Sequence, residues 1–344
     1  EQRLSQEIAL LRPPHGGDLR VALGYPNTYH VGMSNLGLQV VYGIMNQTPG
    51  VRCERFFLPD PDEIEEYERH GRHLFTLESQ QPLEQCDLIA ITCSYENDYC
   101  NVLRILELAG LPLLAKDRGP QYPLVLVGGA ITLLNPEPLA DFVDLFSVGE
   151  AEGLVEDLVD QLREVRDLPR PEQLQALARV PGLYVPALYD PVYEGDRFLA
   201  LEPRGNAPAT IAKNYISRDQ FEAINSSSWL MTEDTEFSKT FLVEVSRGCP
   251  YVCRFCTVGF SYPKVRWKPL ERIWEDIESV KEYNPRVGLI SATVGNHPQI
   301  DELCEGLMRE NLGVSFSSLR ADQLPDSILE TLVRGGSKSM TLAP

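Results

Sequence analysis

The chain has 344 residues, 43% of them apolar and 24% charged, which is typical of a water-soluble protein long enough for two domains. Its formal net charge of −19 argues against a broad nucleic-acid surface, because phosphate contacts need an excess of lysine and arginine. No apolar run approaches the ~18 residues that a membrane span needs, and residues 1–17 lack the pattern of a signal peptide. We therefore expect a cytoplasmic protein, and eight cysteines without an export signal fit a reducing compartment.

The first 165 residues alternate predicted strands and helices. Residues 1–16 predict a short amphipathic helix that ends at Pro13 and Pro14. The predicted strands that follow are 19–24, 51–58, 86–93, 122–128 and 143–148, and the predicted helices are 36–47, 60–70, 98–109 and 151–165. This alternation predicts an α/β fold over residues 17–165, a doubly wound parallel sheet in which ligands bind at the carboxyl ends of the strands.

Loop segments follow four of these strands, and three of the four contain glycine. They are residues 25–33, 94–97, 128–132 and 149–150. Because the carboxyl ends of parallel strands share one edge of the sheet, we expect these segments to meet there. Each glycine taken singly is equally explained as a turn residue with positive φ. No G-x-G-x-x-G follows any strand, so a dinucleotide site is not supported.

The remainder divides into a connector and a second α/β domain. Residues 166–239 carry seven prolines and weak periodicity, which predicts an irregular connector. Predicted strands at 241–246, 287–292, 314–319 and 338–342 alternate with helices at 269–283, 300–311 and 325–334. Residues 240–344 therefore predict four βα repeats of a parallel barrel. Since four repeats do not close a barrel, we expect the chain to be part of a longer protein.

A cysteine-rich loop follows the first strand of this second domain. Residues 241–256 read FLVEVSRGCPYVCRFC and place Cys249, Cys253 and Cys256 in the pattern C-x3-C-x2-C. Thiolates at this spacing can converge on one soft metal centre. Three of them would leave one iron of a four-iron cluster open to a small molecule.

Other uses of these cysteines fit the pattern less well. A zinc site normally has four protein ligands, and His297 and Cys304 are far downstream with no second C-x2-C. A disulfide would leave one of the three cysteines unpaired. The cysteines outside the motif are predicted to be buried small hydrophobic residues: Cys53, Cys86, Cys93, Cys100 and Cys304.

The cysteine motif resembles the signature of the radical S-adenosylmethionine (SAM) superfamily. Its continuation, CTVGFSYPK at 256–264, resembles members that carry an N-terminal cobalamin-binding-like domain. The resemblance implies that the three cysteines hold a [4Fe–4S] cluster and that SAM chelates its fourth iron. It also implies that residues 240–344 are the first part of a radical SAM partial (β/α)6 barrel.

The resemblance further implies contacts to SAM. Phe255 would pack near the adenine, and Ser291 would lie in the stretch that meets the amino group, although residues 291–295 lack the usual G-G-E form. Ser317 and Arg320 would contact the ribose and the carboxylate. A guanidinium is a natural bidentate partner for a carboxylate, but Arg320 can equally form a surface ion pair with Asp322.

The N-terminal domain resembles the cobalamin-binding fold, so the four loop segments at its strand ends would surround the corrin ring and nucleotide tail. The D-x-H-x-x-G motif that supplies a cobalt ligand is absent, because Thr28 stands where the aspartate would be. His30 is therefore expected to make a structural bond rather than to ligate cobalt. The candidate cobalamin contacts are Tyr25, His30, Ser94, Tyr95, Gly128, Gly129, Gly149 and Glu150.

These resemblances imply a radical SAM enzyme that forms a 5′-deoxyadenosyl radical and depends on cobalamin, with C-methyl transfer as its first candidate reaction. Its partners would be an electron donor such as flavodoxin or ferredoxin and a small-molecule or peptide substrate. One alternative is a radical SAM enzyme without cobalamin that catalyses a rearrangement or a methylthio transfer. The latter needs a second three-cysteine cluster, and Cys86, Cys93 and Cys100 cannot easily converge because the first two bracket a buried strand. Another alternative is a cobalamin-binding sensor or an electron-transfer module with a closed cluster.

Overall fold

The computed structural model describes residues 2–337 and 340–343. The chain folds into two compact units, an N-terminal unit of residues 1–5 and 11–216 and a C-terminal unit of residues 6–10 and 217–344. The domain boundaries expected at residues 166 and 240 stay predictions. No helix in the described ranges combines the length and apolar character needed to cross a bilayer.

The described residues form strands β1 (Ile8–Ala9), β2 (Leu19–Tyr25), β3 (Val51–Phe57), β4 (Leu88–Thr92), β5 (Leu124–Gly128), β6 (Leu145–Ser147), β7 (Leu183–Tyr184), β8 (Tyr189–Glu194), β9 (Arg197–Pro203), β10 (Leu230–Met231), β11 (Thr240–Glu244), β12 (Ser246–Arg247), β13 (Arg266–Trp267), β14 (Arg286–Ile290), β15 (Val314–Phe316), β16 (Leu319–Arg320) and β17 (Leu342–Ala343). They form helices α1 (Gln2–Ser5), α2 (Tyr29–Met33), α3 (Leu36–Gln47), α4 (Pro61–His70), α5 (Tyr99–Leu108), α6 (Leu154–Val165), α7 (Arg170–Leu177), α8 (Arg218–Ala223), α9 (Val258–Ser261), α10 (Leu270–Glu278), α11 (Ile300–Arg309) and α12 (Asp326–Arg334).

The N-terminal unit is built on a six-stranded sheet of order β3-β2-β4-β5-β6-β7. Strands β2 to β6 are parallel, and β7 joins the edge antiparallel to β6. The apolar runs in β4 and β5 are buried because helices cover both faces of such a sheet. The predicted α/β fold class is confirmed. The order of the first five strands is the flavodoxin-like one, with its topological switch point between β2 and β4.

Two segments of the chain differ from the prediction. The expected N-terminal helix covers only Gln2–Ser5, and Ile8–Ala9 instead pair with β10. So short a helix is marginally stable alone, and the pairing satisfies the backbone hydrogen bonds of residues 8 and 9. The expected irregular connector contains α7 and α8, and its β8 and β9 form an antiparallel hairpin. Proline tolerates such edge positions, so the prolines did not exclude strands there.

The C-terminal unit has a three-stranded parallel sheet of order β11-β14-β15. Helices α10, α11 and α12 alternate with its strands, as expected for successive βα repeats. The sheet and helices share a core that includes Phe241, Val243, Ile273, Ile277, Val287, Leu289, Leu303 and Leu307. The predicted strand 338–342 includes Lys338 and Ser339, which lie outside the described residues. Its described part contributes Leu342 to β17, which pairs in parallel with β16.

Candidate functional site

The cysteine loop, residues 248–265, follows the buried strand β11 and the short strand β12. The short strands on either side of it, β12 and β13, pair antiparallel, with Ser246 opposite Trp267. The amide of Val245 donates to the carbonyl of Ile290 at the end of β14 (3.0 Å). The loop is therefore anchored at the carboxyl end of the parallel sheet, which is the end where ligands bind in such folds.

Two glycines allow the cysteine loop to fold back on itself. Gly248 has a φ of +97°, and a Cβ there would lie 2.6 Å from the carbonyl oxygen of Lys264. A Cβ on Gly259 would lie 1.8 Å from the carbonyl oxygen of Tyr251. The amide of Cys249 donates to the carbonyl of Tyr262 (3.0 Å). Backbone packs against backbone at both places, so neither position has room for a side chain.

Cys249, Cys253 and Cys256 are all half-buried free thiols on this loop. The amide of Cys256 donates to the carbonyl of Cys253 (3.1 Å), which turns the chain between them. Nowhere in residues 2–337 or 340–343 are three His, Cys, Asp or Glu side chains already arranged to hold a metal ion. Cysteine thiolates are the usual ligands of iron–sulfur clusters, so the chemistry of the loop fits a cluster held at three of its irons. The assignment of the three cysteines as cluster ligands stays a prediction.

Among the cysteines outside the loop, four are buried as predicted and Cys100 is exposed. Burial raises the pKa of both Cys86 and Cys93 to about 12. At neutral pH these two thiols remain protonated, so neither is an activated nucleophile.

Three serine hydroxyls link the ends of neighbouring strands. Ser246 and Ser291 share a hydrogen bond of 2.5 Å between their Oγ atoms. The Oγ of Ser317 accepts from the amide of Ser291 (3.0 Å) and donates to its carbonyl (2.8 Å). Two predicted SAM contacts, Ser291 and Ser317, are thus bonded to each other at one end of the sheet. Their role toward SAM stays a prediction.

Thr293 lies in the same stretch and was missed by the sequence analysis. Its amide donates to the Oγ of Ser291 (3.0 Å), and its side chain is 3% exposed. Its own Oγ1 is buried without a hydrogen-bond partner among the described residues. An unsatisfied buried hydroxyl costs about 1–3 kcal/mol, and such groups are often satisfied by a ligand. The only signal in the sequence was its place in the segment 291–295.

Arg320 has the partner that the ion-pair alternative proposed. Its Nε and Nη2 donate to the two carboxylate oxygens of Asp322 at 2.9 and 2.7 Å. This pairing raises the pKa of Arg320 and lowers that of Asp322. To contact SAM, Arg320 would have to exchange the carboxylate of Asp322 for the carboxylate of SAM. The predicted adenine contact, Phe255, is 86% exposed on the cysteine loop.

Three basic residues, Lys264, Arg266 and Lys268, lie at the end of the cysteine loop, and the last two are buried. Arg266 and Lys268 are 2% and 0% exposed, and both lie near the ring of Phe221, at 5.5 and 5.2 Å from its centroid. Lys268 Nζ donates to the carbonyl of Ile224 (2.8 Å) and to Ser226 Oγ (2.7 Å). These two cations therefore support the base of the cysteine loop instead of presenting charge to a phosphate.

Lys268 makes the stability of the C-terminal unit depend on pH. Burial lowers its pKa from 10.5 to about 8, partly offset by Asp276 and Glu244. Between these pH values the unfolded chain binds more protons than the folded one, so the free energy of unfolding rises with pH, by about 3 kcal/mol in all.

All three tryptophans lie in the C-terminal unit, so tryptophan fluorescence during urea denaturation measures this change in stability. We expect Lys268→Met to lose this rise, and exposed Lys264→Met to keep it. An unchanged slope in Lys268→Met would contradict this assignment.

In the N-terminal unit, polar side chains join the segments after β2 and β4. Asn35 Nδ2 donates to Ser94 Oγ (3.3 Å), and Asn27 Nδ2 donates to the carboxylate of Asp98 (2.9 Å). Burial raises the pKa of Tyr25, while its bonds to Ser94 and Asn35 act in the opposite direction. Two predicted cobalamin contacts, Tyr25 and Ser94, are thus brought together at the switch point of the sheet.

Other predicted cobalamin contacts have packing explanations. A Cβ on Gly129 would lie 2.4 Å from the carbonyl oxygen of Cys93, and one on Gly149 would lie 2.3 Å from that of Asn214. The buried carboxylate of Glu150 accepts from the amide of Ile216 (2.8 Å). Segment 213–216 therefore lies against the end of β6.

The remaining predicted cobalamin contacts are less closely packed by neighbouring residues. His30 lies half-buried in α2, Tyr95 is 56% exposed, and a Cβ on Gly128 would meet only ordinary contacts. The roles of all these residues toward cobalamin stay predictions.

Residues 37–186 match the family described as radical SAM proteins, N-terminal. The uncharacterized protein MJ0966 of Methanocaldococcus jannaschii is 28% identical over 329 residues, which are 94% of this chain and 60% of that protein. The family match supports a likeness to the radical SAM superfamily over residues 37–186. The chain spans about 60% of the length of this relative.

Two solved structures of TsrM, a radical SAM methyltransferase from Kitasatospora setae, share the fold. The first, with tryptophan substrate and a SAM analogue bound, matches with a TM-score of 0.55 at 13% identity. The second, with cobalamin and a [4Fe–4S] cluster bound, matches with a TM-score of 0.53 at 12% identity. Each match covers 94% of this chain and 58% of TsrM. At this identity the likeness concerns the fold.

Proposed function

We propose that this chain belongs to a radical SAM enzyme in which Cys249, Cys253 and Cys256 hold a [4Fe–4S] cluster that binds SAM. The observation that carries the proposal is the cysteine loop itself. It presents three free thiols, and it is anchored at the carboxyl end of a parallel sheet. The radical SAM match of residues 37–186 supports the same assignment from a separate part of the chain.

The strand ends beside the loop supply groups suited to an amino-acid moiety. The unpartnered Oγ1 of Thr293 can accept a hydrogen bond from an ammonium group, and Arg320 can bind a carboxylate in a bidentate manner. Phe255 offers an exposed ring for the adenine. When bound, a reduced cluster would supply one electron to the sulfonium of SAM, whose C–S bond would then break to give methionine and the 5′-deoxyadenosyl radical. The chain contributes the orientation of SAM and the exclusion of water.

Cobalamin is part of this proposal. The switch point between β2 and β4 is where sheets of this order bind their ligands. One TsrM structure contains cobalamin, and that protein is named a methyltransferase. We propose Tyr25, Ser94 and Tyr95 as the contacts nearest this crevice. When bound, cobalamin would supply a methyl group, so C-methyl transfer is the first candidate reaction. A radical SAM reaction without cobalamin is the alternative.

The radical assignment is tested by anaerobic reconstitution of the full-length protein with iron and sulfide. The reconstituted protein is reduced with flavodoxin or dithionite in the presence of SAM, and the products are separated by chromatography. We expect 5′-deoxyadenosine to form in proportion to cluster content. If a protein that carries its cluster leaves SAM intact, it is not a radical SAM enzyme.

Cobalamin binding is tested separately by incubation with hydroxocobalamin, followed by gel filtration and visible absorbance. We expect a corrin spectrum that elutes with the protein. Elution of all the corrin with the small molecules would remove cobalamin and methyl transfer from the proposal, and it would leave the cluster assignment in place.

A further inference from the structure

Tyr251 lies between the first two cysteines of the loop and uses both its hydroxyl and its ring. The hydroxyl donates to Oε1 of Gln323 (2.7 Å) and accepts from Nδ2 of Asn296 (3.1 Å). The amide of Asn296 also donates to that of Gln323. The three polar groups thus form a closed set of hydrogen bonds in which each contacts the other two.

The partners of Tyr251 come from two different strand ends. Asn296 follows Thr293 in the turn after β14, and Gln323 follows β16. These two segments are themselves in close contact, because a Cβ on Gly295 would lie 2.9 Å from the carbonyl oxygen of Gln323. Tyr251 therefore attaches the cysteine loop to a packed pair of segments at the carboxyl end of the sheet.

The ring of Tyr251 also supports Arg320. The guanidinium carbon lies 4.1 Å from the ring centroid, which is a close cation–π stack. Asp322 occupies the outer edge of the guanidinium in bidentate fashion. The plane of the guanidinium is therefore held by a residue that is itself part of the C-P-Y-V-C sequence.

We infer that Tyr251 is a positioning residue that sets the distance between the cluster cysteines and the carboxylate-binding guanidinium of Arg320. The inference rests on the proposed function, because it requires a ligand whose amino-acid group bridges the open iron and Arg320. Tyr251 fixes both ends of that bridge. Its backbone belongs to the cysteine loop, and its hydroxyl and ring contact residues at the strand ends. Movement of the loop relative to Arg320 would misalign the two ends for SAM.

The test compares Tyr251→Phe with the wild type in the full-length protein. The substitution removes the two hydrogen bonds and keeps the ring under Arg320. Tyr283→Phe is the matched control, since Tyr283 is 42% exposed in the turn before β14, at the opposite end of the strands. Three quantities are measured after anaerobic reconstitution: iron and sulfide per chain, the dissociation constant for SAM, and the electron paramagnetic resonance (EPR) spectrum of the reduced cluster with and without SAM.

We expect Tyr251→Phe to keep the iron and sulfide content of the wild type. The loss of two hydrogen bonds should raise the dissociation constant for SAM by about five- to thirtyfold. The SAM-dependent change in the EPR spectrum should move to correspondingly higher concentrations. Tyr283→Phe should match the wild type in all three measurements.

A second variant, Gln323→Leu, removes the partner of the same hydrogen bond. We expect the double variant Tyr251→Phe/Gln323→Leu to bind SAM no more weakly than the worse single variant, because both changes break one interaction. Fully additive losses would mean that the two residues act separately, which overturns the inference.

The outcomes separate this inference from the proposed function. If the wild type incorporates no cluster, the proposed function fails. If the wild type binds its cluster and SAM, and Tyr251→Phe has the same affinity for SAM and the same spectrum, Tyr251 has no positioning role and the proposed function stands. A loss of iron in Tyr251→Phe would make the residue a structural support of the loop, which also contradicts the inference.

Discussion

Replacing Cys253 by serine is expected to abolish cluster binding and all SAM cleavage. Cys253 is the middle thiol of the loop, and its loss leaves two thiols, too few to retain a [4Fe–4S] cluster at three corners. A serine hydroxyl has nearly the same volume but remains protonated at neutral pH, so it does not replace the thiolate. Iron and sulfide per chain after anaerobic reconstitution should fall to the background of the unreconstituted protein.

Cys100→Ser is the control for this experiment. Cys100 is an exposed cysteine in the N-terminal unit, so its replacement removes a reactive thiol without touching the loop. We expect this variant to keep the iron content of the wild type. Wild-type iron content in Cys253→Ser, or an equal loss in both variants, would contradict the assignment of the loop as the cluster site.

Gly259→Ala should have the second largest effect, for a steric reason. The added Cβ would lie 1.8 Å from the carbonyl oxygen of Tyr251, far inside any contact that real atoms make. Because that oxygen belongs to the backbone, the overlap is relieved only if the loop moves, at a typical cost of about 1–3 kcal/mol. We expect the displaced loop to hinder the convergence of its thiols on a cluster, with at least a tenfold loss of reconstituted iron.

The measurement pairs iron content with thermal unfolding. Gly16→Ala is the control, since a Cβ there meets nothing within 4 Å. We expect the sheet of the C-terminal unit to persist in Gly259→Ala, with circular dichroism close to that of the wild type. Normal iron uptake by this variant would show that the close approach of Gly259 to Tyr251 is not needed for cluster binding.

Much of the fold was predictable because its signals are local. Continuous apolar runs marked the buried parallel strands β4 and β5, and Asn35, a residue type common at helix N-caps, accepts from the amide of Leu38 at the start of α3. The β8–β9 hairpin was not predicted. Its strands are exposed along most of their length and lack the apolar alternation that makes a strand recognisable.

The candidate site was predictable only in part. The cysteine spacing is a local pattern, so the loop was identified directly. Tyr251 and Thr293 were missed because their importance depends on partners on other strands, such as Gln323 and Ser291. The role of Arg320 was also not predictable. The choice between an ion pair with Asp322 and a ligand contact depends on geometry that the sequence does not contain.

The most direct test of the account is the EPR spectrum of the reduced, reconstituted full-length protein before and after addition of SAM. An open iron that binds SAM changes its coordination, so we predict a [4Fe–4S]⁺ signal whose g values shift when SAM is added. A cluster signal that SAM leaves unchanged would mean a closed cluster with a fourth protein ligand, and the absence of any cluster signal would mean that the three cysteines do not bind iron. Either result would contradict the central claim that this loop holds a cluster with one iron open to SAM.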